Sequence, residues 1–225
     1  MINIVYEKVI DAIDNKASSI ILTGGRSAKQ LYNMFATVQV IRDFSKINLY
    51  FSDERCVPPE YEESNYRTVV DTLFSGEAPG NLMRIQGEAN DPQTEAARYA
   101  TTIPDEVDLL LLSVGEDGHI ASLFPGNEAI DSLEKVVFVK NVPKPPFRRI
   151  TITPSVIQSA QEVIVMASGP QKGEVLAKAL KDPLNIMELP VRLTIGRMWI
   201  LDEAASLAFK RYVLYDFYNT KIIYA

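Results

Sequence analysis

The sequence contains a single cysteine, Cys56, and a single histidine, His119. One cysteine excludes an intramolecular disulfide, and the two residues together exclude a zinc site built from several Cys and His ligands. No stretch approaches the roughly 18 consecutive apolar residues of a membrane span. The amphipathic N-terminus MINIVYEKVIDAIDNK also lacks the apolar core of a secretory signal. We therefore predict a reducing, cytoplasmic location and no membrane partner.

Positive charge is also scarce. The chain has 23 Lys and Arg residues against 29 Asp and Glu residues, which gives a formal net charge of -6. Because nucleic-acid-binding domains usually present a basic face, this balance argues against a nucleic-acid partner. An anionic ligand must then be met by a local cluster of basic side chains. Apolar residues make up 47% of the chain, which is typical of an ordinary folded protein.

Short apolar runs alternate with stretches of helical spacing along most of the chain. Continuous apolar runs are typical of strands that are covered on both faces, as in a parallel sheet between helices. We predict an α/β fold with three αβα layers and a doubly wound, mostly parallel sheet, similar to the Rossmann fold. No linker or repeat divides residues 1–225, so one domain is predicted. The predicted strands are 19–22, 47–51, 108–114, 136–139, 150–153, 163–167 and 199–201, and the predicted helices are 28–35, 64–74, 94–101 and 171–180.

Two polar segments follow the first two apolar runs, where open parallel sheets bind their ligands. Gly24 and Gly25 precede a helix predicted to begin near Ser27. Glycines allow close backbone approach and a helix N-terminus favours an anion, although a simple tight turn explains the pair equally well. For the second segment, Asp53-Glu54-Arg55, an exposed loop with an ion pair is the simpler interpretation. Cys56 is expected to be buried rather than nucleophilic, because a cysteine nucleophile normally needs a base beside it.

The most informative segment is Gly115-Glu116-Asp117-Gly118-His119, which follows the apolar run 108–114. A lone histidine is often a core residue, but this one stands in a glycine-flanked acidic turn after a strand, which favours a functional role. Histidine can take and return a proton near neutral pH. Asp117 is a candidate to fix its tautomer.

Two basic segments complete the set. Lys144-Pro145-Pro146 leads to Arg149 just before a predicted strand, and Lys172 lies in the first turn of a helix after Gly169. A cation at a helix N-terminus opposes the helix dipole unless an anion also binds there, so Lys172 points to phosphate. Solvent exposure remains the simpler interpretation of each basic group taken alone.

Together these five segments resemble the 6-phosphogluconolactonase family, within the wider group that includes glucosamine-6-phosphate deaminase. The run from Gly115 to Pro125 is the most specific match, and the segments keep their order from about Leu22 to Ala205. The resemblance implies a doubly wound α/β fold and hydrolysis of 6-phosphogluconolactone in the oxidative pentose phosphate pathway. It implies no cofactor and no metal. The expected partner is a phosphorylated sugar lactone, and both a monomer and a small homo-oligomer stay open.

The resemblance also implies residue roles. His119 would be the catalytic base, with Asp117 and Asp53 in the catalytic group. The residues implied in substrate binding are Gly24, Gly25, Arg26, Ser27, Arg55, Arg149 and Lys172. The first motif departs from the family pattern, because Thr23 stands where serine is common, Ser27 where threonine is common and Ala28 where proline is common.

Two alternatives share parts of this pattern. The deaminase would also use Asp53 and the run from Asp117 to His119, but it usually carries an acid where this chain has Phe124, which favours the lactonase. A regulator that binds sugar phosphates without catalysis would normally add a DNA-binding segment, and none is visible. The aromatic tail 209–225 carries no motif and is expected to pack as a helix or to form a subunit contact.

Overall fold

The computed structural model describes residues 1–37, 44, 46–213 and 219–225. Within these ranges the helices are α1 (Ile2–Asp14), α2 (Arg26–Thr37), α3 (Asn65–Leu73), α4 (Pro92–Ala100), α5 (Pro154–Ser159), α6 (Pro170–Lys181) and α7 (Glu203–Lys210). The strands are β1 (Ser19–Leu22), β2 (Asn48–Phe51), β3 (Asp53–Arg55), β4 (Leu109–Ser113), β5 (Val136–Lys140), β6 (Arg148–Ile152), β7 (Glu162–Ala167), β8 (Met198–Leu201) and β9 (Lys221–Tyr224). Short 3-10 turns cover Glu128–Asp131 and Pro190–Thr194. No helix of this described part is long and apolar enough to cross a membrane.

The main sheet has six strands in the order β2-β1-β4-β7-β8-β9, and every neighbouring pair is parallel. The chain winds outward in both directions from the β1–β4 pair, which confirms the predicted doubly wound topology. Because parallel crossovers are right-handed, α2 and α6 cover opposite faces of the sheet. Strand β1 and most of β4, β7 and β8 are buried, as their apolar sequences require. The gap beyond the carboxyl ends of β1 and β4 is the switch point at which such sheets bind ligands.

A second, smaller sheet was not expected. It contains three antiparallel strands in the order β3-β6-β5. The predicted strands 136–139 and 150–153 exist, but they lie here and not in the parallel sheet, and β5 is only half covered. The exposed-loop interpretation of Asp53-Glu54-Arg55 was wrong. These residues form β3, in which Asp53 pairs with Thr151 and Arg55 pairs with Arg149.

The C-terminal tail is described at 209–213 and 219–225, and residues 214–218 lie outside the described residues. Phe209 is buried in α7, which agrees with helical packing, but that helix ends at Lys210. Ile222 and Ile223 lie in β9, which adds a parallel edge strand to β8. Two adjacent β-branched side chains favour a strand on the edge of a sheet over a helix.

Candidate active site

A cavity of about 370 Å³ opens at the switch point of the parallel sheet. This is within the size range of small-molecule sites. Its lining residues are Thr23, Gly24, Gly25, Arg26, Asp53, Arg55, Ser113, Val114, Gly115, Glu116, His119, Ala121, Lys144, Arg149 and Lys172. All the predicted site residues except two are therefore on its wall. Asp117 lies behind His119, and Ser27 is buried in the first turn of α2 without reaching the wall.

The loop from β1 to α2 is held by a buried tyrosine. The Thr23 amide donates to the Tyr32 hydroxyl oxygen at 3.1 Å, and that hydroxyl donates to the Thr23 carbonyl at 2.6 Å. A Cβ on Gly24 would overlap the Asn65 side chain, and Gly25 has a φ of +99°. Both positions therefore require glycine, and α2 begins directly afterwards at Arg26. The first amides of α2 consequently face the cavity with their helix dipole favouring an anion.

Two cations from different helices flank this loop. Arg26 is the first residue of α2, and Lys172 lies in the first turn of α6. Neither side chain has a hydrogen bond or ion pair within the described parts of the chain. Burial lowers the pKa of Lys172 from its ordinary value, and the charge of Arg26 lowers it further. Two unpaired positive charges beside a helix N-terminus form a site suited to phosphate.

Asp53 organises the wall between the two sheets. Its carboxylate accepts from the Ser122 hydroxyl at 2.6 Å and from the Asn65 amide at 3.1 Å. It also lies 3.6 Å from Nη1 of Arg149. Because the carboxylate is buried and engaged by three side chains, it fixes the relative positions of β3, α3 and the segment that follows His119.

Arg149 is buried, at 5% exposure, and most of its donors are used inside the protein. Nε donates to the Pro146 carbonyl at 3.1 Å, and Nη2 donates to the Lys144 and Pro145 carbonyls at 3.2 and 3.3 Å. Burial lowers the pKa of its guanidinium from the ordinary value, although Asp53 opposes this shift. Arg149 therefore ties the loop between β5 and β6 to the pocket, in addition to facing the cavity.

Glu54 joins β3 to the N-terminus of α3. Its carboxylate accepts from the amides of Asn65 and Tyr66, both at 2.8 Å, and from the Ser64 hydroxyl at 3.0 Å. Burial raises the pKa of Glu54 above its ordinary value, although these donors oppose that shift. The next residue, Arg55, donates through Nη1 to the Glu63 carbonyl and so faces the cavity with a fixed side chain.

The turn that carries His119 depends on its glycines. The Gly115 amide donates to the His119 carbonyl at 2.8 Å, and the Gly118 amide donates to the Gly115 carbonyl at 3.0 Å. A Cβ on Gly115 would overlap the imidazole, and Gly118 has a φ of +84°. Ala121, two residues after the histidine, adopts a φ of +50°. This conformation is uncommon for a residue with a Cβ, and such strain often accompanies functional sites.

The imidazole of His119 is held on one edge and one face. Nδ1 lies 2.5 Å from Oδ1 of Asp117, and the ring stacks on Phe124 with centroids 4.4 Å apart. The other oxygen of Asp117 lies 3.2 Å from Nζ of Lys144. Burial alone would raise the pKa of Asp117, but its contacts with His119 and Lys144 outweigh burial and hold that pKa well below the ordinary value. An ionised Asp117 fixes Nδ1 as the donor, which leaves Nε2 to accept a proton.

Sequence reasoning did not assign several residues on the cavity wall. Lys144 lies in a basic segment of the sequence, but no local pattern indicates its contact with Asp117. Thr23, Ser113 and Glu116 also line the cavity, although their motifs alone indicate no such role. Their positions immediately beside strand ends were the available signal. Within the described ranges, no group of three or more His, Cys, Asp and Glu side chains is placed to hold a metal ion.

The fold and the site together define a class of protein. It has an open α/β sheet whose switch point is suited to an anion, and beside it a histidine whose ring contacts an aspartate. The model of the glucosamine-6-phosphate isomerases/6-phosphogluconolactonase family matches residues 1–199, and the chain belongs to this family.

Relatives and solved structures agree with this membership. A 6-phosphogluconolactonase of Mycobacterium tuberculosis is 33% identical over 208 residues, which cover 83% of this chain and 83% of the relative. A probable chloroplastic 6-phosphogluconolactonase of Oryza sativa subsp. indica is 32% identical over 86% of this chain, which spans only 67% of that relative's length. The crystal structure of devB protein superposes with a TM-score of 0.80 at 30% identity, covering 92% of this chain and 95% of that one. A monomeric glucosamine-6-phosphate deaminase superposes with a TM-score of 0.79 over 92% of this chain and 95% of that one, but at 19% identity this shows the shared fold alone.

Proposed function

We propose that this protein hydrolyses 6-phospho-D-glucono-1,5-lactone to 6-phospho-D-gluconate, a step of the oxidative pentose phosphate pathway. Its family and the relatives named 6-phosphogluconolactonase support this activity. The observation that carries the proposal is the His119 imidazole, oriented through Nδ1 by Asp117 on the wall of a cavity that also holds the unpaired cations Arg26 and Lys172. A proton acceptor and an anion site in one cavity suit a phosphorylated substrate that needs general base catalysis.

In the proposed reaction, Nε2 of His119 removes a proton from water as the water oxygen bonds to the lactone carbonyl carbon. The resulting tetrahedral intermediate collapses by breaking the bond from that carbon to the ring oxygen. The imidazolium returns its proton to the ring oxygen, and the new carboxylic acid then ionises. Asp117 stabilises the imidazolium throughout, because its ionised carboxylate lies against Nδ1.

The substrate phosphate is assigned to the other side of the cavity. The amides near Gly24 and Gly25, together with Arg26 and Lys172, form its binding site, with Arg55 and Arg149 facing the same space. These contacts do no chemistry themselves. They use remote binding energy to hold the carbonyl against the base.

The deaminase alternative is weaker for a specific reason. Both activities occur on this fold, so the fold does not discriminate between them. Where the deaminase pattern has an acid, Phe124 stacks on the His119 ring and offers no proton.

The assignment of the chain to one domain, the cytoplasmic location, and a monomer or small homo-oligomer all stay predictions, and the plant relatives are named chloroplastic.

The decisive test is lactone turnover. The lactone is generated from glucose 6-phosphate, formation of 6-phosphogluconate is followed, and spontaneous hydrolysis is subtracted. His119→Asn should lower kcat by about two to four decades, the usual worth of general base catalysis. Its affinity for inorganic phosphate and its melting temperature should match wild type, which controls for folding and for the anion site. A folded His119→Asn protein with nearly wild-type turnover would show that His119 is structural. Release of ammonia from glucosamine 6-phosphate would favour the deaminase.

A further inference from the structure

Two buried side-chain polar atoms lack a hydrogen-bond partner within the described parts of the chain, Arg55 Nε and Ser113 Oγ. Both belong to residues on the wall of the candidate active site. Buried polar groups are almost always satisfied, so an orphaned group beside a cavity is a candidate contact for a ligand. Arg55 already has one internal contact through Nη1, whereas the hydroxyl of Ser113 has none.

The sheet places Ser113 between two parts of the proposed phosphate site, one that contains Gly24 and one that contains Lys172. Strand β4 lies between β1 and β7, and Ser113 is its last residue. Ile21 pairs with Leu110 in the β1–β4 ladder, and β1 leads directly into the loop that carries Gly24, which lines the same cavity as Ser113. On the other side Ser113 pairs with Met166 of β7, whose strand leads to Lys172. Neighbouring strands are only about 4.8 Å apart, so Ser113 ends the strand that lies between the two strands leading to Gly24 and to Lys172.

We propose that the Ser113 hydroxyl donates a hydrogen bond to the phosphate group of the bound substrate. Ser113 is partly exposed on the cavity wall while its Oγ is shielded, and rotation between staggered χ1 rotamers changes the direction in which a serine hydroxyl donates. The assignment rests on the proposed function for the identity of the substrate. For the phosphate it rests on the unpartnered hydroxyl of Ser113, on its place in the cavity wall and on the position of β4 between β1 and β7.

The contact makes Ser113 a positioning residue whose effect is confined to phosphorylated ligands. His119 follows the same strand, but its turn carries the imidazole to Asp117 and Phe124. The hydroxyl therefore belongs with Gly24 and Lys172, and its loss weakens phosphate binding without altering proton transfer.

The test compares wild type with Ser113→Ala by calorimetry, with inorganic phosphate and with 6-phosphogluconate as probes. Both dissociation constants should rise about 10-fold or more, since a hydrogen bond to a charged group is lost. The melting temperature of the free protein should stay equal or rise, because the variant removes a buried hydroxyl that has no partner. Ser206→Ala is the matched control. That serine is buried and bonded to the Asp202 carbonyl, away from the cavity, so its loss should leave both constants unchanged.

A turnover measurement separates this assignment from a sugar contact. Hydrolysis of unphosphorylated glucono-1,5-lactone should be the same for wild type and Ser113→Ala. Any one of three results would overturn the assignment. These are an equal fall in the hydrolysis rate of both lactones, an unchanged phosphate affinity, and a lower melting temperature that Ser113→Gly reproduces. A wild-type protein that does not bind phosphate would also overturn it. If phosphate binding behaves as expected but wild type hydrolyses neither lactone, the proposed function fails and the role of Ser113 stands.

Discussion

The Asp117→Asn substitution tests how the proposed base is held. In the wild-type protein one oxygen of Asp117 faces Nδ1 of His119 at 2.5 Å, and the other faces Nζ of Lys144 at 3.2 Å. The positive charge that develops on the imidazole in the transition state strengthens the first contact. Asparagine keeps the shape but removes the negative charge, and its amide can present a donor to Nδ1 and so favour the wrong tautomer.

The two contacts of Asp117 predict effects of different size. A hydrogen bond to a charged group is worth about 1.5–3 kcal/mol, so its loss should lower kcat about 10- to 150-fold at 1.36 kcal/mol per decade. The side chains of Lys144 and Asp117 are 46% and 32% exposed, so their ion pair is worth at most about 1 kcal/mol. Lys144→Gln should therefore change kcat by no more than about 5-fold.

Coupled lactonase assays on both variants and on the double variant measure this difference. The melting temperature and the phosphate dissociation constant serve as controls for folding and for the anion site. KM should change little in Asp117→Asn, because the lost interaction belongs mainly to the transition state. Equal, small losses in both variants would refute the reasoning, since His119 would then not depend on Asp117 for its orientation.

Three further predictions concern the cations Lys172 and Arg149, the pH dependence of phosphate binding, and the buried carboxylate of Glu54. Lys172→Ala should raise KM with little change in melting temperature, whereas Arg149→Ala should raise KM and also lower the melting temperature, because it releases the 144–146 loop and removes the cation beside the buried Asp53 carboxylate. Phosphate affinity should fall as the pH rises, and this fall should come at a lower pH than that at which an ordinary lysine loses its proton, because Lys172 has a lowered pKa. Titrations with the stable product 6-phosphogluconate should show this fall, and Lys172→Arg should lack it. Glu54→Gln should lower the free energy of unfolding by about 1–3 kcal/mol in urea denaturation, since an amide cannot accept from all the donors at the start of α3.

The parallel sheet and its ligand-binding edge could be predicted because each depends on local sequence. Continuous apolar runs such as Leu109–Ser113 specify strands buried on both faces, and the motifs fall immediately after them. The glycine-flanked turn around His119 is likewise recognisable in the sequence. In the structure Gly115 has no room for a Cβ and Gly118 has a positive φ.

The antiparallel sheet could not be predicted in the same way. Its strand β3 reads Asp53-Glu54-Arg55, three charged residues that local propensity assigns to an exposed loop. They form a strand because the Glu54 carboxylate meets the amides at the start of α3, eleven residues later in the chain, and because β6 supplies a partner. The sequence also did not indicate that Ser27 would not reach the cavity. Helix α2 begins at Arg26, before the predicted start, and Ser27 lies in its first turn with its side chain buried.

The antiparallel sheet β3-β6-β5 keeps the proposed base, His119, at a fixed distance from the proposed anion site. Thr151 of β6 pairs with Asp53 of β3, and its hydroxyl oxygen accepts from the Ser122 amide at 3.0 Å. The Ser122 hydroxyl in turn donates to Asp53. The segment leaving His119 is thus bonded twice to the sheet that also carries Arg149. Because these bonds are buried and join the turn after His119 to strands β3 and β6, a hydrogen-bonded network supports the loops that line the cavity.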